Sequence, residues 1–155
     1  MAVSKFIMKP QFTIGAFAII FDEQGRVLLC HRTDHDLWNL PGGTVEETES
    51  PVVTVKREVK EETGFDVEIV RPVGVYSKNY KNDIVFAFVC KIVSGKTTAN
   101  FEADKIEYFA PSKLPLNTLP HHVERIEDAL KNSNEVFFRV QTGKSAVEML
   151  KEGKL

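Results

Sequence analysis

The stretch "GTVEETESPVVTVKREVKEETGF", Gly43–Phe65, decides how the rest of the chain is read. Ser50-Pro51 is a helix start: a hydroxyl caps the first free N–H groups, and a proline sits where no N–H is needed. Gly64 is a helix stop, so the stretch predicts a helix from Pro51 to about Thr63. Val52, Val55 and Val59 fall on one stripe and are expected to face inward. Glu58, Glu61 and Glu62 stand at i, i+3 and i+4, so they project from one helix face, where like charges repel by about 0.2–0.5 kcal/mol per pair. Two readings of the triplet are open at this point. One is a solvated acidic face balanced by Lys56, Arg57 and Lys60. The other is a hard-cation site, because magnesium takes oxygen ligands from carboxylates, water and substrate phosphates. Just upstream, Gly42 and Gly43 let the backbone turn sharply and come close to a ligand or to the helix end.

The chain has 155 residues, with 20 Lys and Arg against 22 Asp and Glu, a formal net charge of -2. That length suits one domain with a real core. The charge balance gives no broad attraction to duplex DNA or to an anionic membrane. The N-terminal "MAVSKFIMKPQ" lacks the continuous apolar stretch of a signal peptide. The best apolar run, "FTIGAFAIIF", is ten residues long, too short to span a bilayer and right for a buried strand. Cys30 and Cys90 lie in apolar runs and read as buried free thiols, which places the protein in a reducing cytoplasm.

"FTIGAFAIIF" reads as a strand ended by the turn-like "DEQGR", with "VLLCH" as its antiparallel partner. "RTDHDLWNLPGG" reads as a loop. "FDVEIVRPVGVY", "IVFAFVCKIV" and "KIEYFA" read as further strands, and "PSKLPLNTLP" as a proline-punctuated loop. "HHVERIEDALKN" is an amphipathic helix with Val123, Ile126, Ala129 and Leu130 inward; His121 and His122 at its start are assigned solvated or capping roles. "EVFFRVQ" and "SAVEMLKEG" read as a late strand and a terminal helix. Strands and helices interleave, which predicts an α/β fold with a mixed sheet between helices.

The decisive stretch also matches a known signature. Gly43, Glu49, Arg57, Glu58, Val59, Glu61, Glu62, Gly64 and Phe65 stand at the spacings of a Nudix box, and all nine specified positions are met. The chain therefore resembles the Nudix hydrolases from about residue 12 to about residue 132; residues 134–155 are less family-like. The resemblance implies a Nudix-type α/β/α sandwich as a single domain. It implies hydrolysis of a nucleoside diphosphate linked to another moiety, with magnesium, or manganese as substitute. It assigns Glu58, Glu61 and Glu62 to metal binding, the Gly43 carbonyl as a further ligand, and Arg57 to orienting the carboxylates by pairing with Glu49. Glu102, ahead of "KIEYF", matches the position of an additional metal carboxylate better than Asp104 or Glu107. Hydrolysis needs a group to accept the proton of water; Glu58 is the first choice and Glu61 the second.

Substrate contacts are expected from Arg32, placed to meet a phosphate, and from Lys78 and Tyr80 of "YSKNYKND". Trp38 either stacks on a base or packs beneath the loop before the box. A tyrosine near Tyr80 resembles the dinucleoside-polyphosphate members of the family. The proline expected of ADP-ribose members does not occur between Tyr76 and Lys91. The expected substrates are thus a nucleoside triphosphate or a dinucleoside polyphosphate, and the expected protein partner is a second copy, as a homodimer. The alternative is a non-catalytic Nudix module that senses a nucleotide or binds a protein; it would be expected to lack one of the box glutamates, and all are present. The His31/His35 pair does not have zinc-site spacing.

Overall fold

The computed structural model describes residues 8–98, 102–131 and 134–155. The first seven residues, Asn100-Phe101 ahead of "KIEYFA", and Asn132 at the end of the second expected helix lie outside them. The order is β1 (Thr13–Ile20), β2 (Val27–Arg32), β3 (Trp38–Asn39), β4 (Gly42–Thr44), α1 (Pro51–Thr63), β5 (Phe65–Lys78), β6 (Asp83–Gly95), β7 (Ala103–Phe109), α2 (Pro120–Leu130), β8 (Phe137–Gln141) and α3 (Ala146–Lys151). A 3-10 turn at Pro111–Lys113 interrupts the proline-rich loop.

Five strands form a mixed sheet in the order β4-β1-β6-β5-β8, and three form an antiparallel sheet in the order β3-β2-β7. In the first, β1 runs parallel to β6 and β5 runs parallel to β8. The predicted antiparallel pairing of the first two strands is not found. β1 has one edge bonded to β4 and the other to β6, so β2 pairs elsewhere, and only a Phe21–Val27 bridge joins them. The expected loop before the box contributes β3, and Gly42-Gly43 open β4.

Helices cover both faces, which is why β1 and β2 are apolar throughout rather than alternating. Ala16, Ala18 and Ile20 of β1 pack with Val55 and Val59 of α1. Ile19, pointing the other way, packs with Ile126 and Ala129 of α2. Burying one such large aliphatic side chain is worth roughly 1.5–3 kcal/mol. The architecture is thus the α/β/α sandwich, with its strands split between two sheets.

α1 begins and ends where the sequence places it. The Ser50 side chain accepts from the Val53 N–H at 3.3 Å, Pro51 follows, and Gly64 closes the helix at φ 82°. A Cβ on Gly64 would lie 2.3 Å from the Lys96 carbonyl oxygen, so the stop also seats the helix end against the strand beyond. The inward stripe is corrected. Val55 and Val59 are buried, but Val52 is exposed and Glu62 continues the buried side instead. α2 is rotated in the same sense: Leu130 is exposed, while His122, Arg125 and Asp128 are buried beside Ile126 and Ala129.

Asp128 fastens the C-terminal strand. It accepts from Tyr76 Oη at 3.0 Å, Arg139 Nε at 2.8 Å, Arg139 Nη2 at 2.6 Å and Lys131 Nζ at 2.8 Å. Burial alone would raise its pKa; the Arg139, Lys131 and Tyr76 hydrogen bonds overcome that and hold it at about 2. A carboxyl whose folded pKa lies below its unfolded value stabilises the fold above the unfolded pKa of 3.8 and loses that contribution as pH falls toward about 2. The lowering is worth about 2 kcal/mol at neutral pH. Asp128→Asn should therefore lower urea-unfolding stability by about that amount at pH 7, and the deficit should shrink as the pH is taken below 4; a deficit independent of pH would contradict this.

Candidate active site

The "PGG" turn brings β4 against the carboxylate side of α1. Gly42 adopts φ 148°, and a Cβ there would strike the Ala16 carbonyl oxygen at 2.3 Å. A Cβ on Gly43 would meet Glu58 Oε1 at 2.4 Å. Only glycines let this backbone lie so close to the helix. The Gly42 N–H donates to Glu62 Oε1 at 3.3 Å.

Glu58 and Glu62, one helical turn apart, converge with Glu102, which stands just before β7. Each offers a carboxylate oxygen, and these oxygens lie within 4.8 Å of one another. Burial raises the Glu58 pKa despite the opposing Arg57 charge. Burial pushes Glu62 up to about 8, opposed by the Gly42 N–H and reinforced by the charges of Glu58 and Glu102. A cation placed among these oxygens would offset their mutual repulsion. Glu61 is more exposed and stands apart from the three, so the single face read from the helical spacing splits into an inner pair and an outer member.

Arg57 ties these pieces together. Its Nε and Nη2 donate to the two oxygens of Glu49 at 2.7 and 3.0 Å, and Nη1 donates to Glu58 and Glu61, each at 3.1 Å. Thr54 Oγ1 also donates to Glu49, at 2.7 Å. The Arg57 and Thr54 hydrogen bonds lower the Glu49 pKa to about 2, so it is a fixed anion at neutral pH.

Glu62 and Glu102 line a cleft of about 400 Å³ together with Phe17, Cys30, Asn39 and Arg32. Arg32 stands at this cleft and forms a bidentate pair with Asp34 at 2.7 and 2.5 Å. Asn39 leaves its buried Oδ1 without a hydrogen-bond partner. Lys78 is bonded to Asp83 at 2.5 Å, and the Tyr80 ring stacks on His121, with centroids 6.1 Å apart. Trp38 is packed, the second of its two expected roles. Pairing of β3 with β2 turns its ring into the core, 8 % exposed, edge-on to His31 and Phe109.

His122 is not solvated. It is buried, and its Nδ1 accepts from the Leu40 N–H at 3.0 Å, which fixes a neutral ring; burial puts its pKa well below the ordinary value. Arg125 is buried on the same side of α2. The signal for both was a stripe at 122, 125, 126 and 129, helical spacing that includes two polar residues on the inward side. His31 is held by Asp104 at 2.7 Å and Asp36 at 2.8 Å rather than by a metal-like partnership with His35. Cys30 and Cys90 are buried and free. No described helix is long and apolar enough to cross a membrane.

Residues 11–130 match the model of the NUDIX domain. The chain belongs to the Nudix hydrolase family. It is 32% identical over 143 residues to a Bacillus subtilis (strain 168) protein provisionally assigned as an 8-oxo-dGTP diphosphatase, covering 90% of this chain and 96% of that one. It is 31% identical over 121 residues to a MutT-like protein of Streptomyces ambofaciens, covering 78% and 79%. A crystal structure of an ADP-ribose pyrophosphatase from Streptococcus suis superposes with a TM-score of 0.70 at 26% identity, covering 84% of this chain and all of that one. β8 and α3 lie beyond the matched residues.

The close approach at Gly43 gives a direct test of the geometry. Gly43→Ala should displace the Glu58 carboxylate and reduce turnover roughly 10²-fold or more, on the scale of losing a positioned acid–base group. The melting temperature should change little, because the obstruction is a movable side chain. Parental turnover in that variant would show that the Glu58 position is not needed.

Proposed function

We propose that this Nudix hydrolase uses magnesium and water to cleave a phosphoanhydride bond in a nucleoside diphosphate derivative, with a nucleoside triphosphate or a dinucleoside polyphosphate as substrate. The observation that carries this reading is the convergence of Glu58, Glu62 and Glu102 beside the Gly43 backbone. The donor set fits a hard cation, since every group is oxygen and the carboxylates are partly buried and close enough to repel. Glu58, Glu62, Glu102 and the Gly43 carbonyl would hold it, with Glu61 as an outer carboxylate; manganese suits the same donors. When bound, such an ion neutralises phosphate charge and makes water more acidic.

The chain's own groups supply the rest. Glu58 is the proposed general base, with Glu61 second: burial raises the affinity of Glu58 for a proton, and Arg57 fixes its position. Glu49 holds Arg57 from the other side. The water oxygen bonds to one phosphorus, the bond from that phosphorus to the bridging oxygen breaks, and the water proton passes to the carboxylate. The departing group keeps the bridging oxygen as a phosphate anion. Arg32, Lys78 and Tyr80 are the proposed substrate contacts. The relative provisionally assigned as an 8-oxo-dGTP diphosphatase supports the triphosphate reading, and it is more similar in sequence than the ADP-ribose pyrophosphatase. On this reading the protein acts in the cytoplasm as one domain, in keeping with its free thiols. The exposed Phe138 and Val140 of β8 support pairing as a homodimer.

The reading is tested by measuring phosphate and pyrophosphate release across a nucleotide panel, with magnesium, with manganese and with excess EDTA. Activity should disappear with EDTA, and Glu58→Gln should lower kcat by roughly 10²–10⁴-fold. Magnesium should raise the melting temperature of the parent and raise that of Glu62→Gln much less, because only the folded state offers the assembled donors. Full turnover in EDTA, or equal magnesium shifts in parent and variant, would sink the proposal.

A further inference from the structure

Beside the cleft with the carboxylates lies a second chamber of about 280 Å³. Arg32, Leu119 and His122 line both, so the two are adjacent. The chamber lies between the Lys78–Lys81 turn, the start of α2 and the segment Lys144–Met149 around α3. Five cations line it, Arg32, Lys78, Lys81, Arg125 and Lys144, and no carboxylate among the described residues does. Lys78, Lys81 and Arg125 also border a crevice shared with Gly43 and Thr44, so they flank the carboxylate corner from a second side.

Most of these charges have partners outside the chamber, but the balance is positive. Lys78 and Lys81 share one carboxylate, that of Asp83, at 2.5 and 3.1 Å. Arg32 is paired with Asp34, and Lys144 with Glu152. Arg125 is different. It is 1 % exposed, makes no ion pair among the described residues, and donates only from Nη2, to Gln141 Oε1 at 2.8 Å. Its Nε and Nη1 have no hydrogen-bond partner. The rings of Phe17 and Tyr76 flank the guanidinium, 5.2 and 5.4 Å from its carbon, and give it only partial compensation. Burial lowers its pKa to about 10, which still leaves it charged at neutral pH. A buried cation with two unbonded nitrogens is costly even with the charges of Glu124 and Asp83 acting on it, and an anion in the adjoining chamber would offset that cost.

We propose that this chamber takes the anionic end of a phosphate chain that continues past the carboxylate cluster. The enzyme then selects substrates with at least one phosphate beyond the scissile pair over diphosphates whose second substituent is a neutral sugar. This rests on the phosphoanhydride reading of the neighbouring cleft and narrows it. A nucleoside triphosphate and a dinucleoside polyphosphate share the required chemistry. Lys144 belongs to the segment beyond the residues matched by the family model, so the selecting wall is built partly by this chain's own C-terminal element.

The test is the double variant Lys81→Glu/Lys144→Glu. Both side chains are about half exposed, at 52% and 51%, so the fold should be retained, as an unchanged melting temperature would verify. Calorimetry with inorganic tripolyphosphate should show the dissociation constant rising about tenfold or more in the variant, as for the loss of phosphate-facing charges. In steady-state assays with magnesium, KM for ATP or for diadenosine tetraphosphate should rise by a similar factor. KM for ADP-ribose and all kcat values should stay near parental. A rise with only one of the two polyphosphates supports the proposal and names the source of the chain. Equal tripolyphosphate affinity in parent and variant, or an equal rise in KM for ADP-ribose, overturns it. Absence of hydrolysis in the parent for every nucleotide would count against the phosphoanhydride reading alone, because the tripolyphosphate measurement needs no turnover.

Discussion

Arg57 makes the carboxylate corner of this molecule tenable. Glutamates brought together from one helix and a strand entrance repel, and burial of the inner pair adds to the cost. A flexible lysine would offer a point charge in one place. The planar guanidinium instead grips both oxygens of Glu49 with one edge and reaches Glu58 and Glu61 with a third nitrogen. Glu49 lies before the helix and the other two lie on it, so the same contacts that restrain the charges also fix the helix against its approach loop. The glycines then finish the arrangement by letting β4 lie where a side chain would otherwise stand.

The cleft has an opposite electrical character on its two sides. Carboxylates from α1 and the start of β7 gather on one, and cations from the β5–β6 turn, α2 and the α3 segment gather on the other. A phosphate chain is suited to such a gradient only if a cation mediates on the acidic side, whereas the basic side can take its oxygens directly. The outer wall of the basic side is built by the segment around α3, beyond the residues matched by the family model. Behind Arg125, Arg139 of β8 and Tyr76 of β5 meet on Asp128 and fasten β8 to the domain. β8 itself adds only an edge strand, with Phe138 and Val140 turned to solvent.

The sequence by itself determined α1 from cap to stop, the family and the α/β/α class. It also singled out the residues that form the acidic corner, including Glu102 and the Glu49–Arg57 pair. α1 and the spacings along it are short-range matters, since a proline, a capping serine and a stop glycine act over a few residues, whereas Glu102 and the sandwich class were legible only through the family resemblance. Tertiary structure decided what depends on which neighbour covers a surface. It gave β2 to a different sheet from β1, because both edges of β1 were already bonded. It set Glu62 inward and Val52 outward, a rotation of the stripe that helical periodicity cannot resolve when apolar and acidic residues occupy adjacent angles. It turned Trp38 into the core through two residues of strand pairing that a turn-rich loop does not reveal. It buried His122 and Arg125 and joined them, across more than forty residues of chain, to Phe17 and the Lys78–Lys81 turn. Charge compensation and burial are sums over everything nearby in space, so they become definite only when the chain has folded.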